Sequence, residues 1–180
     1  MKQVRKKIKS KLSVFILLFF TSIISAQSVI IEIKSDSLYI NSKKVTKEIT
    51  SQNLRSLLGN PNREFYKLST IWTYDSLGLK VYIGQQDSSL EAFSLDFKRD
   101  NFEFSPRKEF SGKLIINSQA ISAKTSIEDL EKMEIGFESS ILDWYRAVVG
   151  WHSASTEYLR FLFDYSKDNK MIELVEISFK

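Results

Sequence analysis

The chain has no cysteine, one histidine, two prolines and six glycines in 180 residues. Each shortage removes a class of chemistry. Without cysteine there is no thiol nucleophile, no disulfide and no lipid-modified N-terminal cysteine, so a chain sent to an oxidising compartment must hold together by apolar burial. The single His152 leaves a zinc site short of its customary ligands and gives a Ser-His-acid triad only one candidate base. It falls in the Ser/Thr-rich stretch Trp151-His152-Ser153-Ala154-Ser155-Thr156, read here as an exposed connection, and no Gly-x-Ser-x-Gly elbow accompanies it. A glycine-rich phosphate loop is also missing. The expected inventory is no cofactor, no metal and no catalytic residue.

Charge is distributed unevenly. Lys2, Arg5, Lys6, Lys7, Lys9 and Lys11 open the chain, Leu12 to Ile24 is apolar, and Ser25-Ala26-Gln27 supplies small residues for cleavage after Ala26. That order reads as a secretory signal peptide over 1–26. The apolar run is too short for a spanning helix, which needs roughly 20 residues. An uncleaved anchor, extended by Val29-Ile30-Ile31, is the rival reading. The chain's 26 basic residues, less the six in 1–26, leave 20 against 22 acidic ones, so the formal charge falls from +4 to −2 on processing. A nucleic-acid footprint needs basic residues clustered on the folded domain, and here the cluster is in the segment expected to leave. The expectation is a periplasmic or secreted protein, with neither nucleic-acid binding nor membrane insertion once the signal is gone.

The rest reads as α+β. Val29, Ile31 and Ile33 alternate as one face of a strand, and Leu38 to Asn41 returns as a second. Thr50 or Ser51 can cap a helix whose inner stripe is Leu54, Leu57 and Leu58, with Gly59 and Pro61 to end it. Ile71 to Ile83 is a hairpin about Asp75-Ser76-Leu77-Gly78, where Asp first and Gly fourth suit a type I turn. Leu90 to Phe97 is a strand with Phe93, Leu95 and Phe97 turned inward.

The pattern then recurs. A shift of 76 positions carries Leu38, Ile40, Asn41 and Ser42 onto Leu114, Ile116, Asn117 and Ser118. Val45 falls on Ile121, Thr50 on Ser126 and Leu54 on Leu130. Thr125 and Glu128 give the second helix a capping box, and Gly136 is its expected end. Further on, Leu79 to Ile83 resembles Leu159 to Phe163, and Val175, Ile177 and Phe179 answer Phe93, Leu95 and Phe97. The reading is two similar units, 27–97 and 113–180, each an antiparallel sheet with one short helix packed on one face. They are joined by a linker over 98–112 in which Phe102 and Phe104 indicate some packing.

A helix ending Leu57-Leu58-Gly59-Asn60-Pro61, followed by Trp72-Thr73-Tyr74-Asp75-Ser76-Leu77-Gly78-Leu79-Lys80-Val81-Tyr82, resembles exported bacterial domains of unknown function with a Tyr-Asp…Gly hairpin. The likeness covers about residues 38–97. It implies no activity.

Recognition is what remains. Trp72, Tyr74 and Tyr82 read as out of phase with Leu79, Val81 and Ile83, and Trp144, Tyr145 and Trp151 gather before the second hairpin. Tyrosine and tryptophan offer large contact area with a polar handle, so these six are the expected partner-binding residues. The expected function is non-catalytic binding of a protein or cell-envelope component through a sheet face and aromatic loops. One alternative is a small hydrolase using carboxylates (Glu131 with Glu134, or Asp96 with Asp100) or Ser105 with Lys108. Another is a structural envelope module.

Overall fold

The computed structural model describes residues 28–133 and 151–180. The signal-peptide segment and Gly136 lie outside them. Twelve strands and two short helices occur among the described residues: β1 (Ile30–Lys34), β2 (Ser37–Ile40), β3 (Lys43–Val45), α1 (Ser51–Leu58), β4 (Arg63–Tyr66), β5 (Ser69–Tyr74), β6 (Leu79–Gly84), β7 (Leu90–Asp96), β8 (Lys113–Ile116), β9 (Gln119–Ile121), α2 (Ile127–Lys132), β10 (Trp151–Ser155), β11 (Leu159–Tyr165) and β12 (Ile172–Phe179). The class is α+β, as the alternating patterns indicated.

The strands form two sheets. One has the order β3-β2-β1-β8-β9, the other β10-β11-β12-β7-β6-β5-β4. Every pairing is antiparallel except β1 with β8. Both sheets draw strands from both stretches of the chain, so neither stretch keeps a sheet to itself. The reason is in the register: β7 pairs with β12, Phe93 opposite Ile177 and Leu95 opposite Val175, which makes one continuous apolar face from the two inward-turned strands. Ile31, Leu38, Leu54, Val81, Phe93, Leu114, Leu130, Phe161 and Val175 belong to one buried cluster fed by both sheets and both helices. Burying a side chain of this size contributes roughly 1.5–3 kcal/mol, so a shared core stabilises a protein that has no disulfide.

Local chemistry recurs at the spacing read from the sequence. The β2–β3 turn holds Asn41 and Ser42 at φ 49° and 66°, and the β8–β9 turn holds Asn117 and Ser118 at 48° and 70°. Both central residues at positive φ is the type I′ geometry whose twist matches the flanking strands. Thr50 caps α1 by accepting from Asn53 N. Ser126 caps α2 in a reciprocal box with Asp129, one residue on from the Thr125–Glu128 box expected, because the Thr125 hydroxyl accepts from Ser122 N instead. α2 ends at Lys132, with Met133 as its cap and its N–H already spent on Asp129 and Leu130 carbonyls. Gly59 takes φ 83° and donates its N–H to Arg55 O, closing α1 as expected.

Candidate functional site

The hairpin that anchors the resemblance is an attachment point for residues 98–112. Its turn ends in Gly78 at φ 71°. A Cβ there would lie 2.2 Å from Phe110 N and 2.3 Å from the Glu109 carbonyl carbon, so only glycine lets the following segment pass. That segment is tied down by main-chain bonds, Asp96 N to Gly78 O, Phe110 N to Asp96 O and Ser111 N to Leu77 O. The Asp75 carboxylate receives Arg63 Nε at 3.0 Å, Arg63 Nη2 at 2.6 Å and Arg107 N at 2.9 Å. Burial pushes its pKa up, but the hydrogen bonds from Arg63 and Arg107 N and the two arginine charges outweigh that and hold it below the usual carboxylate range. Arg63 also donates to the Glu103 and Ser105 carbonyls, and Thr73 Oγ1 to Phe104 O. The 98–112 stretch is thus fastened along the hairpin.

The face of the seven-stranded sheet turned away from the core carries the buried charges. Lys80 on β6 meets Asp96 on β7 at 3.0 Å, with side chains 3% and 1% exposed, and Ser94 donates to the other Asp96 oxygen at 3.1 Å. Register places Ser94 opposite both Lys80 and Glu176, and Ala92 opposite both Tyr82 and Ser178. Burial raises Asp96, Glu176 and Asp164 above ordinary carboxylates, with Lys80 opposing in the first two. Burial likewise raises the Tyr82 phenol, helped by the Glu176, Asp96 and Asp100 charges. Clusters of displaced acidities mark functional sites, but structural ion-pair networks produce them too. Here Lys80 and Asp96 satisfy each other, and the Lys80 ammonium lies 5.7 Å from the Phe104 ring centre.

The expected aromatic anchors separate. Tyr74 pairs with Leu79 and Trp72 with Val81, and directly opposed residues of antiparallel strands share a face. Trp72 and Tyr74 therefore join the core, 4% and 2% exposed, in phase with the aliphatics and contrary to the expected alternation. The Arg55 guanidinium lies 4.1 Å from the Trp72 ring centre, and Tyr74 Oη donates to Gly59 O. Tyr82 alone takes the opposite face, half-buried. Trp144 and Tyr145 lie outside the described residues. Trp151 is in β10 at the position opposite Asp164, with His152 opposite Phe163. The stretch read as a connection is a strand, because Ser153, Ala154 and Ser155 continue the pairing with β11.

Of the residues expected for a hydrolase, Asp96 and Asp100 lie near enough that the Asp100 charge adds to the rise of Asp96. Ser105 is buried with its hydroxyl unpartnered, while Lys108 is on the surface. Asp96 is locked to Lys80, and Asp100 accepts from Phe102 N. Glu131 is exposed and Glu134 lies outside the described residues. Among the described residues there is no group of three or more potential metal ligands.

Sequence reasoning passed over an apolar corner. Leu68, at the tip between β4 and β5, is 98% exposed, with Tyr66 at 72% and Phe102 at 64%. The Lys67–Glu103 ion pair at 3.1 Å and the bond from Arg63 to Glu103 O hold this tip beside the 102–104 turn. The Phe102 and Phe104 rings stack at 5.5 Å. A groove of about 480 Å³ runs alongside, lined by Ser51, Glu64, Tyr66, Thr70, Trp72 and Gln85 among others. The available signal was Tyr66-Lys67-Leu68-Ser69, large apolar residues where a tight turn ordinarily holds polar ones.

No curated protein and no solved structure matches the chain. Residues 30–131, from the first described strand into α2, match the model of a domain of unknown function, DUF7738. That is more than half of the sequence, and the chain belongs to this uncharacterised family.

Proposed function

We propose that the chain is an exported, non-catalytic interaction protein that holds a protein or cell-envelope partner through its exposed apolar corner. The observation that carries this reading is Leu68, fully exposed at the β4–β5 tip, with Tyr66 exposed on the Trp72 side of β4 and Phe102 exposed beside Phe104 over the other face. Large apolar side chains presented to water in a group mark contact surfaces, whereas single ones are ordinary. The reading is also supported by the mutual engagement of Lys80, Asp96 and Ser94, which gives those three a scaffold role. Export rests on the basic and apolar order of residues 1–26. Among the described residues no helix is long and apolar enough to cross a membrane.

We further infer that the scaffold is a duplicated unit. In favour are the paired Asn-Ser turns and the paired caps Thr50 and Ser126, each set 76 positions apart. The two closing strands, β7 and β12, lie side by side at the join.

The test is affinity capture from the periplasm or medium of the producing cell. Wild type should retain a specific partner that Leu68→Ser and Phe102→Ser lose while Lys124→Ser keeps it. Equal recovery with all four proteins would contradict the reading.

A further inference from the structure

The four residues of β4 border the apolar corner and form one edge of the seven-stranded sheet, unpaired on its outer side among the described residues. Lys67 N donates to Ser69 O and Asn62 N to Thr73 O, so the carbonyls of Ser69 and Thr73 point toward β4. Hydrogen-bonded and non-bonded pairs alternate along an antiparallel ladder. Arg63 and Phe65 therefore bond inward to Thr73 and Ile71, while Glu64 and Tyr66 turn their main-chain N–H and C=O outward. No hydrogen bond from a described residue occupies those groups.

Proteins blunt such edges with lysines, proline, bulges or very short strands. The β3 edge of the other sheet follows that rule, with Lys43 and Lys44 in a three-residue strand. β4 is one residue longer and holds neither lysine nor proline. Its charges are already neutralised, Arg63 by Asp75, Glu64 by Arg55 and Lys67 by Glu103. Its last residue, Tyr66, is exposed, as is Leu68 two positions on.

Resting on the interaction reading above, we propose that the partner at this corner is a second copy of the chain, whose β4 adds antiparallel to the first across a two-fold axis at Phe65. Identical edges can meet only in registers that oppose outward groups to outward groups. The register centred on Glu64 makes one hydrogen-bonded pair across the axis, Glu64 with its counterpart, because Asn62 opposite Tyr66 already donates inward to Thr73 O. The register centred on Phe65 pairs Glu64 with Tyr66 on both sides of the axis, each pair exchanging both main-chain hydrogen bonds. Tyr66 Oη, which lies 3.4 Å from Glu64 Oε2 in one copy, then has the other copy's carboxylate directly across. The same register sets Arg63 opposite Lys67, two cations that each keep a carboxylate of their own copy, Asp75 and Glu103. With aromatic side chains presenting ~150–250 Å² each, Tyr66, Phe102 and Leu68 offer on the order of 400 Å² per copy before any backbone is counted. Two such surfaces approach the roughly 1,000 Å² that a specific interface requires.

The test is sedimentation velocity on the protein as its producing cell accumulates it, over a dilution series. Wild type should sediment as a dimer that dissociates on dilution. Tyr66→Pro removes an outward N–H and leaves the β5 ladder intact, so it should be a folded monomer. Leu68→Ser and Phe102→Ser, at exposed positions, should weaken the dimer by about tenfold or more, and they decide the matter if Tyr66→Pro fails to fold. A wild type that stays monomeric up to about millimolar concentration, or a dimer undiminished in these variants, overturns the pairing. A monomer that still captures another protein through Leu68 sinks the pairing and leaves the interaction reading standing. A monomer that captures nothing sinks both.

Discussion

The guanidinium of Arg63 grips the carboxylate of Asp75 through two hydrogen bonds, at 2.6 and 3.0 Å, and so joins the start of β4 to the turn after β5. Arg107 N completes the set from the 98–112 stretch. Asp75→Asn removes the charge that these donors serve, and the expected loss is about 2 kcal/mol at neutral pH, the scale of hydrogen bonds to a charged group. The pH dependence has a definite sign. Asp75 is depressed in the folded state, so its stabilisation is complete above the ordinary carboxylate range and disappears as pH falls through the folded value. Urea melts of both proteins should converge in acid. A gap that is constant with pH would show the effect is steric.

Gly78 and Gly59 both have positive φ, but their surroundings differ. A Cβ at Gly78 would run into the Glu109–Phe110 backbone, whereas at Gly59 nothing lies within 4 Å. Gly59→Ala should cost about 1–3 kcal/mol, the strain of an L-residue held at positive φ with extended ψ. Gly78→Ala should cost more than about 4 kcal/mol or prevent folding, because backbone cannot move aside as a side-chain tip can. Thermal melts of the two variants side by side make the comparison. Similar losses would mean that the 98–112 stretch is not packed on the turn.

Lys80 and Asp96 form a buried pair that single substitution should expose. Lys80→Met leaves the Asp96 carboxylate without its cation, at an expected cost of about 3–5 kcal/mol. Adding Asp96→Asn removes the stranded charge and keeps an oxygen for Ser94 Oγ, so the double variant should regain most of that loss. Burial already raises Asp96, so the penalty in Lys80→Met should shrink as the pH falls and the carboxyl protonates. Denaturant midpoints across pH 4 to 8 would check this. A double variant no better than the single would show that the pair acts through packing.

The two Asn-Ser turns hold serine where type I′ geometry favours glycine. Ser42 and Ser118 have φ of 66° and 70°. Ser42→Gly and Ser118→Gly should each stabilise the fold by about 0.5–1 kcal/mol, and the double variant should be additive because the turns share no partner. A loss at either turn would mean that its serine side chain has a role beyond the local backbone.

The sequence told much about the fold for a physical reason. Period-two alternation in Val29–Ile33, Leu79–Ile83 and Val175–Phe179 reports a half-buried strand without reference to any partner. Caps such as Thr50 and terminators such as Gly59 are equally local. Partner choice is not local. Nothing within residues 27–97 announces that β1 lies between β2 and β8, or that β7 borders β12. Faces were misread for the same reason: Trp72 and Tyr74 share the face of Val81 and Leu79 only once the turn fixes the register. The apolar corner was illegible because exposure is a tertiary property. Leu68 looks like any core leucine until the hairpin turns it outward.

The central claim, that this chain works by contact at the Tyr66–Leu68–Phe102 corner, is tested most directly by a photo-crosslinking amino acid placed at Leu68 in the producing cell, with Lys124 as the remote position. The account predicts a discrete adduct from position 68 that is absent from position 124 and is lost when Phe102→Ser is added. An unmodified protein at both positions, or the same adduct from both, would contradict it.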